Sequence, residues 1–217
     1  MKFQTIALTL LLFGLYTLKL FGQEHGGLSG DEALQKLMDG NKRYVVAQLT
    51  HPDQNKERIA EVVKGQHPFA IILGCSDSRV PPEIIFDQGI GDLFIIRVAG
   101  NITDDITIGS IEYAVEHLGV KLIVVLGHEK CGAVDATVKG GEAPGHIKFL
   151  IDAIKPAVEK AKAQSGDILD NAIRNNVEIV VNQLKSSTPI LKEATEKGLK
   201  IVGARYDLDE GKVEILK

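Results

Sequence analysis

The residues of this chain best suited to chemistry lie in two short stretches. Gly74-Cys75-Ser76-Asp77-Ser78-Arg79 sets a thiol, a carboxylate and a guanidinium close together. Gly127-His128-Glu129-Lys130-Cys131-Gly132 pairs an imidazole with a second thiol at the spacing His128-x-x-Cys131. Zinc accepts cysteine thiolate, histidine nitrogen and carboxylate oxygen in tetrahedral sites, and three protein ligands leave a fourth position for water, as in catalytic centres. Cys75, His128 and Cys131 could supply those three ligands. Asp77 is near enough to Cys75 to be a fourth ligand or a base beside the water. Arg79 is spaced to hold Asp77 by a bidentate, charge-assisted hydrogen bond. The competing reading is a disulfide between Cys75 and Cys131, which accounts for both cysteines but not for the polar residues around them. Taken singly, His128 reads as a core or capping histidine, and Asp77 with Arg79 as a solvated ion pair. Spacing alone leaves metal and disulfide both open.

Each stretch follows an apolar run, Phe69-Ala70-Ile71-Ile72-Leu73 in one case and Leu122-Ile123-Val124-Val125-Leu126 in the other. Such runs, closed by glycine and polar residues, predict buried parallel strands. In open α/β sheets, ligands bind beyond the carboxyl ends of the strands. Further strands are predicted over 93–98 and 199–206, with an antiparallel closing strand over 212–216 after the turn signal Asp209-Glu210-Gly211. Helices are expected from near Glu32, interrupted at Gly40-Asn41, and over 54–64, 82–86, 104–118, 130–138, 146–163, 167–186 and 188–197. The first two carry no clear site and are expected to pack, against a second subunit among other surfaces. The alternation predicts an α/β fold: a mostly parallel central sheet of about four strands plus an antiparallel edge strand, with helices on both faces. Right-handed crossovers would bring Cys75, Asn101 and His128 to one sheet edge.

Composition narrows the function classes. The chain has 217 residues and a net charge of -4, with no Lys/Arg cluster longer than a pair, so a nucleic-acid footprint is not expected. Absence of tryptophan and an aromatic content of 5% argue against a base- or sugar-stacking surface. Lys2, the apolar run from Thr5 to Leu18 and the polar change that follows read as a signal peptide over 1–22, with 23–217 as one domain. An uncleaved anchor is the alternative, although the run is short of the about 20 apolar residues a spanning helix needs. The expectation is an exported, periplasmic protein with no stable membrane insertion after cleavage.

Cys75-Ser76-Asp77-Ser78-Arg79 together with Gly127-His128-Glu129-Lys130-Cys131-Gly132 resembles the signature pair of the β-class carbonic anhydrases. Pro81-Pro82-Glu83, Phe94-Ile95-Ile96-Arg97-Val98-Ala99-Gly100-Asn101 and Ser110-Ile111-Glu112-Tyr113-Ala114-Val115 extend the resemblance, which runs from about Gly30 to the C-terminus. It implies reversible hydration of carbon dioxide to bicarbonate and a proton by zinc-bound hydroxide. One Zn2+ per chain would be held by Cys75, His128 and Cys131. Asp77 and Arg79 would be catalytic: Asp77 accepts a hydrogen bond from the water, and in a closed state it becomes the fourth ligand. Two thiolates donate more charge than histidines do, and the Asp77–Arg79 pair is the expected compensator. Gln66, Phe94 and Tyr113 resemble the substrate pocket of the constitutively open subclass, with Gln66 donating to a substrate oxygen and the two rings forming an apolar wall. Some of these would come from a second subunit, since the family implies a homodimer or homotetramer. Without the resemblance, Phe94 and Tyr113 read as core and Gln66 as a strand-entry residue. Gly100-Asn101 is expected to shape the nearby loop. Relatives of the family that hydrolyse carbon disulfide or carbonyl sulfide supply the alternative substrates. His117 reads as a helix-end residue near the favourable dipole end.

Overall fold

The computed structural model describes residues 27–216, so the segment read as a signal peptide lies outside the described residues. Five strands form one sheet: β1 (Ala70–Gly74), β2 (Leu93–Arg97), β3 (Leu122–His128), β4 (Lys200–Tyr206) and β5 (Val213–Ile215). Their order is β2-β1-β3-β4-β5, with the first four parallel and β5 antiparallel to β4. Helices α1 (Gly30–Val45), α2 (Lys56–Val62), α3 (Pro82–Ile85), α4 (Asp105–Leu118), α5 (Gly132–Lys139), α6 (Ile147–Ala161), α7 (Ile168–Ser186) and α8 (Ile190–Glu196) connect and cover them. The predicted fold class is the observed one.

β1 and β3 are buried along their whole length, which is why they read as unbroken apolar runs rather than alternating ones. Side chains alternate across the sheet. Ile71, Leu73, Ile123 and Val125 share a core with Ile111 of α4, Val177 and Leu184 of α7 and Leu191 of α8. Ala70, Ile72, Leu122, Val124 and Leu126 face the other way, onto Ala33 and Leu37 of α1 and Ile85 of α3. A third cluster joins both cysteines to Val134 of α5, Ile154 and Val158 of α6 and Ile173 of α7. The chemistry-bearing end of the sheet is therefore roofed by three helices. α7 comes close because β3 and β4 carry glycines there: a Cβ on Gly127 would stand 2.5 Å from Val177 Cγ2, and one on Gly203 2.7 Å from Val177 Cγ1.

One expectation is corrected. Gly40-Asn41 does not interrupt the first helix, which runs unbroken from Gly30 to Val45. A Cβ at Gly40 would lie 1.8 Å from the Phe86 carbonyl oxygen, so this glycine permits close packing. Asn41 is buried and satisfied across the fold: its Nδ2 donates to the carbonyls of Ile85 (3.0 Å) and Gly211 (2.9 Å), and its Oδ1 accepts from the Val213 amide (2.9 Å). The polar helix expected over 54–64 is shorter, Lys56–Val62, and buries none of its residues.

Candidate metal centre

The register of the sheet assembles the site. Gly74 stands beside Leu126 on one side and Arg97 on the other, so β1, β2 and β3 end nearly level. Cys75 follows β1, His128 closes β3, and Cys131 is the N-cap of α5. All three are buried, His128 completely. Both cysteines are free, with Cys75 Sγ 4.0 Å from Cys131 Sγ. That is close to the about 3.8 Å expected between two thiolates on one tetrahedral zinc, given bonds of about 2.3 Å. One ligand atom from each of the three residues lies within 4.8 Å of the others. The choice left open by spacing, disulfide or metal, falls here on the side of a ligand cluster.

The histidine fixes its own role. His128 Nδ1 lies 2.8 Å from the Glu129 carbonyl oxygen, which can only accept, so Nδ1 carries the proton. Nε2 is left with a lone pair, buried and without a hydrogen-bond partner among the described residues. A buried polar atom with no partner carries a desolvation cost, and a metal ion bound between Nε2 and the two thiols would remove it. The donor set and its geometry therefore fit zinc.

Asp77 turns away from the cluster toward Arg79. Arg79 Nε donates to Asp77 Oδ1 at 2.9 Å, Nη2 to Oδ2 at 2.8 Å, and the Arg79 amide to Oδ1 at 3.0 Å. Arg79 Nη2 also reaches the Lys130 carbonyl at 3.3 Å, tying the first motif to the second. Asp77 Oδ2 remains 3.8 Å from His128 Nε2, so the carboxylate borders the cluster without entering it. The hydrogen bonds from Arg79 hold the Asp77 carboxyl well below the usual carboxylate range, against the opposing effect of burial. The hydrogen bond from Cys131 lowers the Cys75 thiol against the opposing effect of burial, and the Gly100 amide adds to the lowering. The same bond pushes the Cys131 thiol up.

Of the residues read from sequence, Cys75, Asp77, Arg79, His128 and Cys131 come together. Gln66 does not join them within one chain: it is exposed in the loop before β1, at the strand end opposite Cys75. Phe94 sits beside Ile71 near the start of β2, about 10 Å along the strand from its end. Its ring centroid is 6.4 Å from that of half-exposed Tyr113, which in turn lies 5.1 Å from the ring of His117 in the last turn of α4. Arg97 is a residue the sequence reading did not single out. Its Nε donates to the Cys75 carbonyl at 2.8 Å and its Nη2 to the Asp77 carbonyl at 2.5 Å, clamping the first motif by its backbone. A charge closing the apolar run 93–96 was the available signal. In a second acidic grouping, Glu129, Asp207 and Asp209, the carboxylates are paired with cations: Lys130 Nζ lies 3.0 Å from Asp209 and 3.6 Å from Glu129, and Arg205 Nη1 lies 3.5 Å from Asp207.

A family model described as carbonic anhydrase matches residues 70–213. A carbonic anhydrase of Mycolicibacterium smegmatis is 41% identical over 188 residues, covering 84% of this chain and 91% of the relative. Carbonic anhydrase 2 of Mycobacterium tuberculosis is 40% identical over 185 residues, covering 83% and 89%. Among solved structures, a β-carbonic anhydrase of the ascomycete Sordaria macrospora, described as tetrameric, superposes with a TM-score of 0.69 at 30% identity, over 84% of this chain and 96% of the other. The Coccomyxa β-carbonic anhydrase, solved in complex with acetazolamide, gives 0.67 at 27% identity, over 84% and 86%.

Proposed function

The chain belongs to the β-class carbonic anhydrases, and from that membership we propose that Cys75, His128 and Cys131 hold one zinc ion per chain and that the site interconverts carbon dioxide and bicarbonate. The observation that carries this reading is the buried, unpartnered Nε2 of His128 facing two free thiols. When bound there, zinc would supply the Lewis acidity that makes a coordinated water nucleophilic near neutral pH.

The protein residues divide the remaining work. Cys75 and Cys131, as thiolates, balance the charge of a dication, and the Glu129 carbonyl holds the His128 ring with Nε2 inward. Asp77, ionised and engaged by Arg79, is kept off the fourth position. Its free lone pairs can accept a hydrogen bond from water at the cluster, orienting the oxygen toward carbon dioxide. Because its carboxyl is held low, Asp77 serves here as an acceptor and not as an acid. Arg97 keeps the backbone of Cys75 and Asp77 in place while this occurs.

Gln66, Phe94 and Tyr113 serve the substrate in the site of a second copy of the chain, in a homodimer or homotetramer. The tetrameric description of the Sordaria relative supports such an assembly, as does the distance of Gln66 and Phe94 from the cluster within one chain. Export to the periplasm follows from the N-terminal sequence, with residues 1–22 as its signal. No helix among the described residues is long and apolar enough to cross a membrane.

The test is metal analysis joined to a carbon dioxide hydration assay on residues 23–217. One zinc per chain and hydration well above the buffer rate are expected, and Cys75→Ser should abolish both. Full activity in Cys75→Ser would refute the assignment. Turnover of carbon disulfide or carbonyl sulfide with none of carbon dioxide would keep the metal and replace the substrate.

A further inference from the structure

The Cys75 sulfur has a neighbour outside the ligand set. The Gly100 N–H donates to Cys75 Sγ at 3.3 Å in a buried setting. The Gly100 carbonyl in turn accepts from Asn176 Nδ2 at 2.8 Å, also buried. Gly100 lies in the short helical turn Ala99–Asn101 with φ 74° and ψ 15°, the left-handed region that favours glycine. A Cβ at this position would meet Ile154 Cδ1 at 2.7 Å. So glycine alone puts an amide against this sulfur, and a side chain from α7 fixes the peptide on the other side of its Cα. Asn176 is itself 2% exposed, beside the core residue Val177. A buried amide in such surroundings is stable only when it is hydrogen-bonded, and the partner it has is the residue that touches the ligand.

Hydrogen bonds to a ligating sulfur withdraw charge from it, and such outer partners tune a metal's electronics. A centre with two thiolates has charge to withdraw. We propose that Asn176 is a positioning residue of the metal centre: by fixing Gly100 it keeps an amide hydrogen bond on the Cys75 thiolate, and so preserves the Lewis acidity of the bound ion. This rests on the metal reading above.

The experiment loads the wild-type chain and Asn176→Leu, a substitution of similar size without a donor, with cobalt(II). In the variant the thiolate-to-cobalt charge-transfer band should move to longer wavelength, because the sulfur becomes richer in electrons. The cobalt dissociation constant should rise by roughly tenfold, at the lower end of the range for outer-shell partners. A role in packing alone would lower the melting temperature and leave the band and affinity unchanged, and that result overturns the proposal. If Asn176→Leu does not fold, the wild-type chain loaded with cadmium-113 decides. The Gly100 amide proton should show scalar coupling to the metal through the Cys75 sulfur, and absence of coupling overturns the proposal. Wild-type protein that binds no cobalt would defeat the metal reading itself. Wild-type binding with a spectrally identical variant would defeat only the role of Asn176.

Discussion

Arg79 decides what Asp77 does. Half of its side chain is exposed, yet it spends a fork of hydrogen bonds on one carboxylate and a further bond on the second motif. Arg79→Ala should free Asp77 to turn toward the cluster that it already borders at 3.8 Å. The expected result is retained zinc with hydration lowered roughly 10–100-fold, the usual range for loss of a second-layer partner. Arg79→Lys should recover little, because a point charge does not reproduce the fork. Zinc loss in step with activity would instead mean that Arg79 supports binding. At this scale the sequence was legible where side chains meet side chains: the spacing of Asp77 and Arg79 implied their fork, and Cys75, His128 and Cys131 stood out as candidate ligands, although spacing alone left a disulfide open. Arg97 and Asn176 were not legible, because they act on backbone carbonyls, and Gly100 was legible as shaping the nearby loop but not as the amide on Cys75. A carbonyl oxygen is offered by every residue, so no pair of residue types marks such a bond.

Among the elements, one carboxylate fastens the connector between α1 and α2. Asp87 is 2% exposed and accepts from Arg43 Nε (2.6 Å), Thr50 amide (3.0 Å), Thr50 Oγ1 (2.9 Å) and the His51 amide (3.0 Å). Burial would push its carboxyl up, but these donors outweigh it and bring it down to about 2. A depressed folded-state value contributes stability that is complete above the unfolded value of about 3.9 and is lost as pH falls through the folded one. The Asp87 contribution should therefore fade between about pH 4 and the folded value of about 2. Asp87→Ala should cost about 1–3 kcal/mol in urea denaturation at pH 7, because the Thr50 and His51 amides lose their buried acceptor. The difference from wild type should shrink in melts approaching pH 3. A difference independent of pH would refute the linkage. The strands were readable because burial on both faces leaves a continuous apolar run. The Gly40-Asn41 break was misread because glycine and asparagine are weak helix formers, while the demand that placed them there, the Phe86 carbonyl and the β5 backbone, is tertiary.

For the whole molecule, the apolar surface left uncovered points to assembly. Val63 and Ile106 are each 80% exposed, Ile84 55% and Ile59 49%, and α2 buries none of its residues against its own chain. Sedimentation should give a particle larger than the 23.5 kDa of one chain. Val63→Glu combined with Ile59→Glu should shift it toward monomer. If Gln66, Phe94 and Tyr113 serve the site of a second copy, that monomer should keep its zinc and lose hydration. A fully active monomer would show that one chain completes its own pocket.

Cys75 follows β1 and His128 closes β3, two strands that pair with each other and are buried along their length, and both cysteines pack under the helical roof with Val134, Ile154 and Ile173. The strands and the roof have packing of their own, so chelating the proposed ion should leave the far-ultraviolet circular dichroism unchanged while hydration is lost.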